Sequence, residues 1–468
     1  MCTVSDSMPK EDQDPITYLS ATSLARRIRE KKLSVQEVVK AHLTRIATVN
    51  SKLNAVVQLC AERAQREAKE ADAMLATGRA PGPLHGVPIT IKDSFDTAGI
   101  ISTGGTLGRK DYIPSRDATV VARVRAAGAI LLGKTNTPEF TLSFVTDNLV
   151  YGPTKNPYNL AYQPSGSSGG AAAIVASGGA AFDIGSDFAG SIRVPCHACG
   201  LAGIKPTQGL VPRTGHIIDY GGFADSMQQV GPLARHVGDL ALLLPILAGP
   251  DDLDAATAPV PISDYRGVDL RTLRAAWYIS NGEMDPTPEI ARLVEQCVGY
   301  LTAAGVKCSQ ARPPLLKEVG ELRGKLGGAD GGASTQRRVR RAGTKQTSPQ
   351  LGLGGTAISS AEFATTVERL DECRSRMLAF LEDYDIILCP PSALPAPRLG
   401  ENPGLSGWNY TSVYNITGWP AAVVRAGTSP EGLPLGIQMV GRPWTEHVVL
   451  AVASHIESKT GGWQRPPL

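Results

Sequence analysis

Between residues 16 and 80 the apolar positions recur at helical spacing. One segment opens at Ser34 with Glu37 three residues on, the sequence form of a capping box, and carries Val35, Val38, Val39, Leu43 and Ile46 on one face. Another amphipathic helix precedes it. A third, more charged helix runs from about Ala61 to Leu75 and stops near Gly78. His42 reads as a surface residue of the second helix, so this helical N-terminal part holds no combination of side chains suited to catalysis. Residues 1–15 are polar and acidic and predict a flexible N-terminus.

From Gly86 the period changes to short apolar runs alternating with helices. V-P-I-T-I-K predicts a strand that delivers Lys92 at its C-terminal end. D-A-T-V-V-A-R-V-R-A-A-G predicts a helix ending at Gly128, and A-I-L-L-G a buried strand. A-A-A-I-V-A-S then starts a helix, and A-A-F-D-I-G-S-D reads as the next strand. Residues 268–306 repeat the pattern with the strand L-R-A-A-W-Y-I and a helix. A helix from about Ala361 to Leu381, a strand at D-I-I-L-C-P and strands at A-A-V-V-R and P-L-G-I-Q-M-V-G close the chain. This alternation predicts an α/β fold with helices covering a sheet. The organisation expected is one domain over 16–468, with the catalytic core at 81–250 and a C-terminal part at 361–468. Residues 324–355 are rich in Gly, Ser, Thr and Arg without a sustained apolar period, and read as a mobile surface loop or a lid.

Composition narrows the function classes. With 42% hydrophobic residues the chain can bury a large core, so its 50 glycines and 34 prolines signal shaped turns, not disorder. A net charge of +3 implies no strongly charged partner. The basic cluster Arg337, Arg338, Arg340, Arg341 and Lys345 lacks aromatic interleaving and reads as a solvated face, not a nucleic-acid site. Eight cysteines in 468 residues make no disulfide scaffold. Cys196-His197-Ala198-Cys199 is half a zinc pattern whose second half is missing, so neither metal nor cofactor is expected. No apolar run of bilayer length occurs, and a cytoplasmic protein without membrane partner is expected.

The candidate chemistry lies in the Gly/Ser-rich run from Pro164 to Pro195, which holds Ser167 and Ser191, 24 residues apart. A serine hydroxyl needs a base, yet the nearest histidine, His197, lies outside the Ser/Gly pattern, whereas Lys92 ends an apolar strand. Small residues before Ser191 let backbone N–H groups converge on a developing oxyanion. A lysine serves as base only when neutral, which requires its pKa to fall by about 3 units through burial or nearby positive charge. Asp93 and Asp96 must therefore point away from it. Each feature alone reads as an ordinary turn or a surface lysine; together they point to hydrolysis by a Ser-Ser-Lys device. The loop at Gly166–Gly170 lacks the lysine of a phosphate-binding G-x-x-x-x-G-K-[ST] motif, which argues against a nucleotide site.

G-V-P-I-T-I-K-D, D-A-T-V-V-A-R-V-R-A-A-G-A-I-L-L-G-K-T-N, Y-G-P-T-K-N-P-Y-N, S-G-S-S-G-G, G-S-D-F-A-G-S-I-R-V-P, C-G-L-A-G-I-K-P-T and P-L-G-I-Q-M-V-G-R-P occur in this order. The chain resembles the amidase signature family in them, over roughly residues 20–320 and 360–460. The resemblance implies a large mixed β-sheet covered by helices on both faces. It also implies Ser191 as nucleophile, Ser167 after a cis peptide bond as bridge, and Lys92 as base. Backbone N–H groups of Phe188, Ala189, Gly190 and Ser191 would form the oxyanion hole, and Arg193 would pair with Asp187 to brace the loop. Two departures stand out: the usual G-G-S-S-G-G begins Ser165-Gly166, and Ala189-Gly190 replaces a double glycine. The extra methyl narrows the acyl site, and Phe188 adds an apolar wall.

Phe188, Phe144, Trp408, Tyr410 and Trp419 are candidates to line a cleft. The expected function is a stand-alone amidase, monomer or homodimer, acting on small apolar or aromatic amides and extending to carbamates (as a urethanase) and esters. The alternatives are the glutaminase subunit of a tRNA-dependent amidotransferase and a catalytically inactive binding scaffold.

Overall fold

Near-continuous apolar runs such as P-I-T-I-K and I-L-L-G-K-T suit strands covered on both faces, and both are wholly buried. They belong to a sheet of eleven strands among the described residues: β1 Val56–Leu59, β2 Pro88–Lys92, β3 Ile130–Thr135, β4 Phe182–Asp187, β5 Ala202–Lys205, β6 Gln229–Ala234, β7 Arg274–Trp277, β8 Lys307–Gln310, β9 Ile386–Cys389, β10 Ala421–Thr428 and β11 Pro434–Gly441. The structure is a computed structural model and describes residues 15–79, 82–218, 227–402, 404, 407 and 409–468. The expected flexible N-terminus lies, but for residue 15, outside them.

The strand order is β1-β3-β2-β4-β6-β5-β10-β11-β9-β7-β8. β3, β2 and β4 run parallel, as do β9, β7 and β8, while the pairs between these groups are antiparallel. The fold is therefore α/β with a mixed sheet, as expected. Among the described residues no helix is long and apolar enough to cross a membrane.

The helix Val35–Leu53 opens on the predicted capping box, Ser34 Oγ accepting from Glu37 N while Glu37 Oε2 accepts from Ser34 N at 2.8 Å. Its Val35, Val38, Val39 and Ile46 are buried in the main core beside Ile89 and Ile91 of β2.

Three sequence expectations are corrected. The N-terminal part is not all helical, because the β-branched pair at the start of Val56–Leu59 adds β1 to the edge of the sheet beside β3. His42 is fully buried, its Nδ1 2.8 Å from Val38 O, and burial lowers its pKa to about 4. Residues 324–355 are not simply a loop: the end of the helix Leu316–Gly327 and the helix Ala333–Arg341 occupy part of the region, and the rest is irregular. The first buries Leu316, Val319 and Leu326; the second buries nothing and forms from good helix formers (Ala, Gln, Arg). Further on, Thr344 Oγ1 meets Thr106 Oγ1 at 2.6 Å, and Ser348 N donates to the buried Glu139 Oε2 at 2.6 Å. The segment is thus fastened to the core.

Candidate active site

β2 is sandwiched between β3 and β4, so its last residue, Lys92, emerges in the interior with no exposed surface. Its Nζ lies 2.7 Å from Ser167 Oγ, 3.0 Å from Ser168 Oγ and 3.0 Å from Ser186 Oγ. Burial lowers the Lys92 pKa to about 7, against the opposing pull of Asp183 and Asp187. Asp183 itself is pushed up to about 6 by burial while accepting from Thr90 and Thr135 hydroxyls, which weakens that pull. Asp93 turns to Thr103 and Gly104, and Asp96 pairs with Arg109 at 2.5 Å.

Ser167 precedes the helix Gly169–Ala176, and the Gly166–Ser167 peptide bond is cis. The glycine at 170 is required by a close approach, since a Cβ there would sit 2.4 Å from Asn136 N. Ser168 N donates to Ser191 O at 3.1 Å, fastening this loop to the one that carries Ser191. Ser191 is only 5% exposed, and its hydroxyl makes no hydrogen bond among the described residues.

β4 ends at Asp187, and the chain turns through residues 188–192 into the short helix Arg193–Cys199. Asp187 organises this turn. It accepts from Gly190 N at 2.7 Å, Ile192 N at 3.1 Å and Arg193 Nη2 at 2.9 Å, so the residues on either side of Ser191 share one carboxylate. Burial alone would raise the Asp187 pKa, but the Arg193 guanidinium and the Asn415 amide outweigh it and hold the carboxyl far below its usual range. Arg193, fully buried, also donates to Thr411 O, Gln438 Oε1 and Asn415 Oδ1.

Of the four expected oxyanion donors, the Gly190 N–H is therefore already bound to Asp187, whereas those of Phe188, Ala189 and Ser191 carry no hydrogen bond among the described residues. Gly190 has φ +138°, and a Cβ there would lie 2.3 Å from Thr411 Oγ1, so no larger residue fits. Ala189 does fit, packing its methyl with Phe144, Val145, Val194 and the half-buried Phe188. Of the other candidate cleft aromatics, Tyr410 and Trp419 belong to the buried core and Trp408 lies outside the described residues.

Sequence reasoning did not single out Ser168, Ser186, His216, Asn415, Thr411 or Gln438. Ser168 and Ser186 stand inside the glycine- and serine-rich motifs and were legible as extra hydroxyls; His216 carried no local signal. Its Nε2 lies 3.0 Å from Ser186 Oγ. His197, in contrast, places Nε2 3.1 Å from Leu394 O and accepts from Gly436 N, and both flanking thiols are buried with raised pKa values. The arginines at 337, 338, 340 and 341 lie on the helix Ala333–Arg341; beneath it a pocket of about 330 Å³ is lined by Arg109, Tyr112, Phe140, Ile217, Arg338 and Arg341.

The model of the family described as Amidase matches residues 37–450. The A-type subunit of the glutamyl-tRNA(Gln) amidotransferase of Moorella thermoacetica is 35% identical, covering 96% of this chain and 98% of its own. Among solved structures, a fatty acid amide hydrolase superposes with a TM-score of 0.88 at 27% identity, covering 97% of this chain and 87% of its own. A 6-aminohexanoate cyclic dimer hydrolase with bound substrate gives 0.86 at 28% identity, covering 96% and 99%. With its mixed sheet and buried lysine among serines, the chain belongs to the Amidase family, the amidase signature hydrolases of C–N amide bonds.

Proposed function

We propose that this protein is a stand-alone serine amidohydrolase of small apolar or aromatic amides, extending to carbamates and esters. The observation that carries this reading is the apolar cluster of Phe144, Val145, Ala189, Val194 and Phe188 packed against the turn that presents Ser191. A cluster without charge favours an uncharged acyl group over a zwitterionic amino acid.

In the proposed reaction, Ser191 Oγ attacks the carbonyl carbon while Ser167 takes its proton and passes its own to neutral Lys92. The N–H groups of Phe188, Ala189 and Ser191 hold the oxyanion, each such donor supplying about 3–4 kcal/mol in the transition state. Ser167 then returns a proton to the leaving nitrogen as the C–N bond breaks, Lys92 resupplying it. Water, deprotonated through the same relay, hydrolyses the acyl-enzyme and releases Ser191. Asp187 and Arg193 keep the turn in place. Because only neutral Lys92 accepts a proton and its pKa is lowered to about 7, kcat/KM is expected to rise with pH through about 7 and to fall below it. A pH–rate profile flat from pH 5 to 8 contradicts the role given to Lys92.

A second reading, a glutaminase subunit, is favoured by the 35% identity to a component of a tRNA-dependent amidotransferase. A panel of 4-nitroanilides, aryl esters, N-aryl carbamates and glutamine separates the two. The first reading predicts kcat/KM for aromatic anilides at least about 100-fold above that for glutamine. Ammonia release from glutamine alone, and only with added partner subunits, overturns it. Phe188→Ala is expected to lower kcat/KM for aromatic acyl groups more than for acetyl.

A further inference from the structure

Besides Ser167 of the relay, the lysine has two further hydroxyl partners, Ser168 and Ser186. The hydroxyl of Ser186, on β4, has two hydrogen-bond partners among the described residues, Lys92 Nζ at 3.0 Å and His216 Nε2 at 3.0 Å. His216 is 4% exposed, packed edge-on against Phe95 with ring centroids 4.9 Å apart. Its Nδ1 lies 3.1 Å from Ile218 N and 3.4 Å from Ile218 O. A backbone amide can only donate, so the shorter contact makes Nδ1 an acceptor and leaves the imidazole proton on Nε2. The Nε2–H therefore donates to Ser186 Oγ. Among the described residues the Ser186 proton then has one acceptor within reach, the lone pair of Lys92 Nζ, which exists only when the lysine is neutral.

We propose that His216 is a positioning residue that keeps Lys92 able to accept a proton, by directing an N–H at Ser186 and so making Ser186 a donor to the amine. This rests on the reading of Lys92 as the base. An ammonium at Lys92 would face Ser186 as a second donor and strand the hydroxyl proton, an unsatisfied buried group that disfavours the charged form. The imidazole is suited to the task because it stays uncharged: burial, and then Lys92 itself, lower the His216 pKa to about 3. The other charges facing the pair are Asp183 and Asp187 on β4, which pull towards the ammonium, and Arg213 and Arg109 beside the imidazole, which oppose a charge on it.

The test reads the rate at which a fluorophosphonate labels Ser191 as a function of pH, in the full chain. His216→Leu, or His216→Met should Leu not fold, is expected to move the acid limb upward by about one pH unit, while His216→Gln, which keeps an N–H donor, holds it near wild type. In a Ser186→Ala background the same His216 substitution is expected to change nothing further, because the link runs through that hydroxyl. An unmoved limb in the single variant, or an equal shift with and without Ser186, overturns the proposal. The 15N spectrum of the wild-type protein tests it independently of any variant that fails to fold. An Nε2-protonated neutral His216 at pH 7 supports it; an Nδ1-protonated ring or an imidazolium overturns it. Absence of any labelling of wild-type Ser191 would instead sink the proposed function itself.

Discussion

Replacing Lys92 with methionine is expected to lower kcat/KM roughly 10⁴-fold, the scale of losing a member of a catalytic unit that acts together. Methionine matches the length of the lysine stem, so the packing along β2, buried at every position, changes little. What disappears is the group that links Ser167, Ser168 and Ser186 and that, in the proposed relay, takes the Ser191 proton. Far-UV circular dichroism should match wild type, so the loss is read as chemistry and not as unfolding. A Lys92→Met protein retaining a tenth or more of the wild-type kcat/KM contradicts the assignment.

Arg193→Leu is the second large effect, and it strikes stability and activity together. Asp187 and Arg193 are both fully buried, and the guanidinium contacts Asp187, Thr411, Gln438 and Asn415. Removing one partner leaves an uncompensated carboxylate in the interior, at a cost of about 3–5 kcal/mol. That carboxylate also accepts from Gly190 N and Ile192 N, so its displacement loosens the turn on both sides of Ser191. Chemical denaturation should show the destabilisation, and labelling of Ser191 in the fraction still folded should slow. In Asp187→Asn/Arg193→Leu both charges are gone, and part of the stability should return without the activity. Wild-type stability in Arg193→Leu would mean that the pair contributes nothing to the turn.

Much of the site was legible because its parts sit in short segments with strong local signals. Lys92 ends an apolar strand run, and Ser167 and Ser191 each sit in a glycine-rich turn at a strand or helix boundary, where small residues are required sterically. The same holds for strands β2, β3 and β4, whose apolar runs leave little alternative to burial. What stayed hidden depends on contacts between distant positions. His216 reaches Ser186 across 30 residues from an irregular segment, and Asn415 reaches Asp187 across 228. Neither a histidine after a glycine nor an asparagine in a helix marks such a partner in advance. His42 falls within the apolar stripe of its helix, between Val38 and Val39 on one side and Ile46 on the other, so the periodicity itself places it inside; only its polarity suggested the surface. Tyr410 and Trp419 were candidates for a cleft and are core, since an aromatic ring fits either place. The helix Ala333–Arg341 has no apolar stripe to read, and only propensity favours it. The family resemblance implied the Gly190 N–H as an oxyanion donor, but its engagement by Asp187 is visible only in the folded turn.

The central claim is that Ser191 is the nucleophile, activated through Ser167 by a neutral Lys92. The most direct measurement is fluorophosphonate labelling of the wild-type protein at pH 8, followed by peptide mass analysis and repeated on Ser191→Ala. The result expected is a single adduct on Ser191 in the wild type and none in the variant. An adduct on another serine in the wild type, or undiminished labelling of Ser191→Ala, would contradict the account.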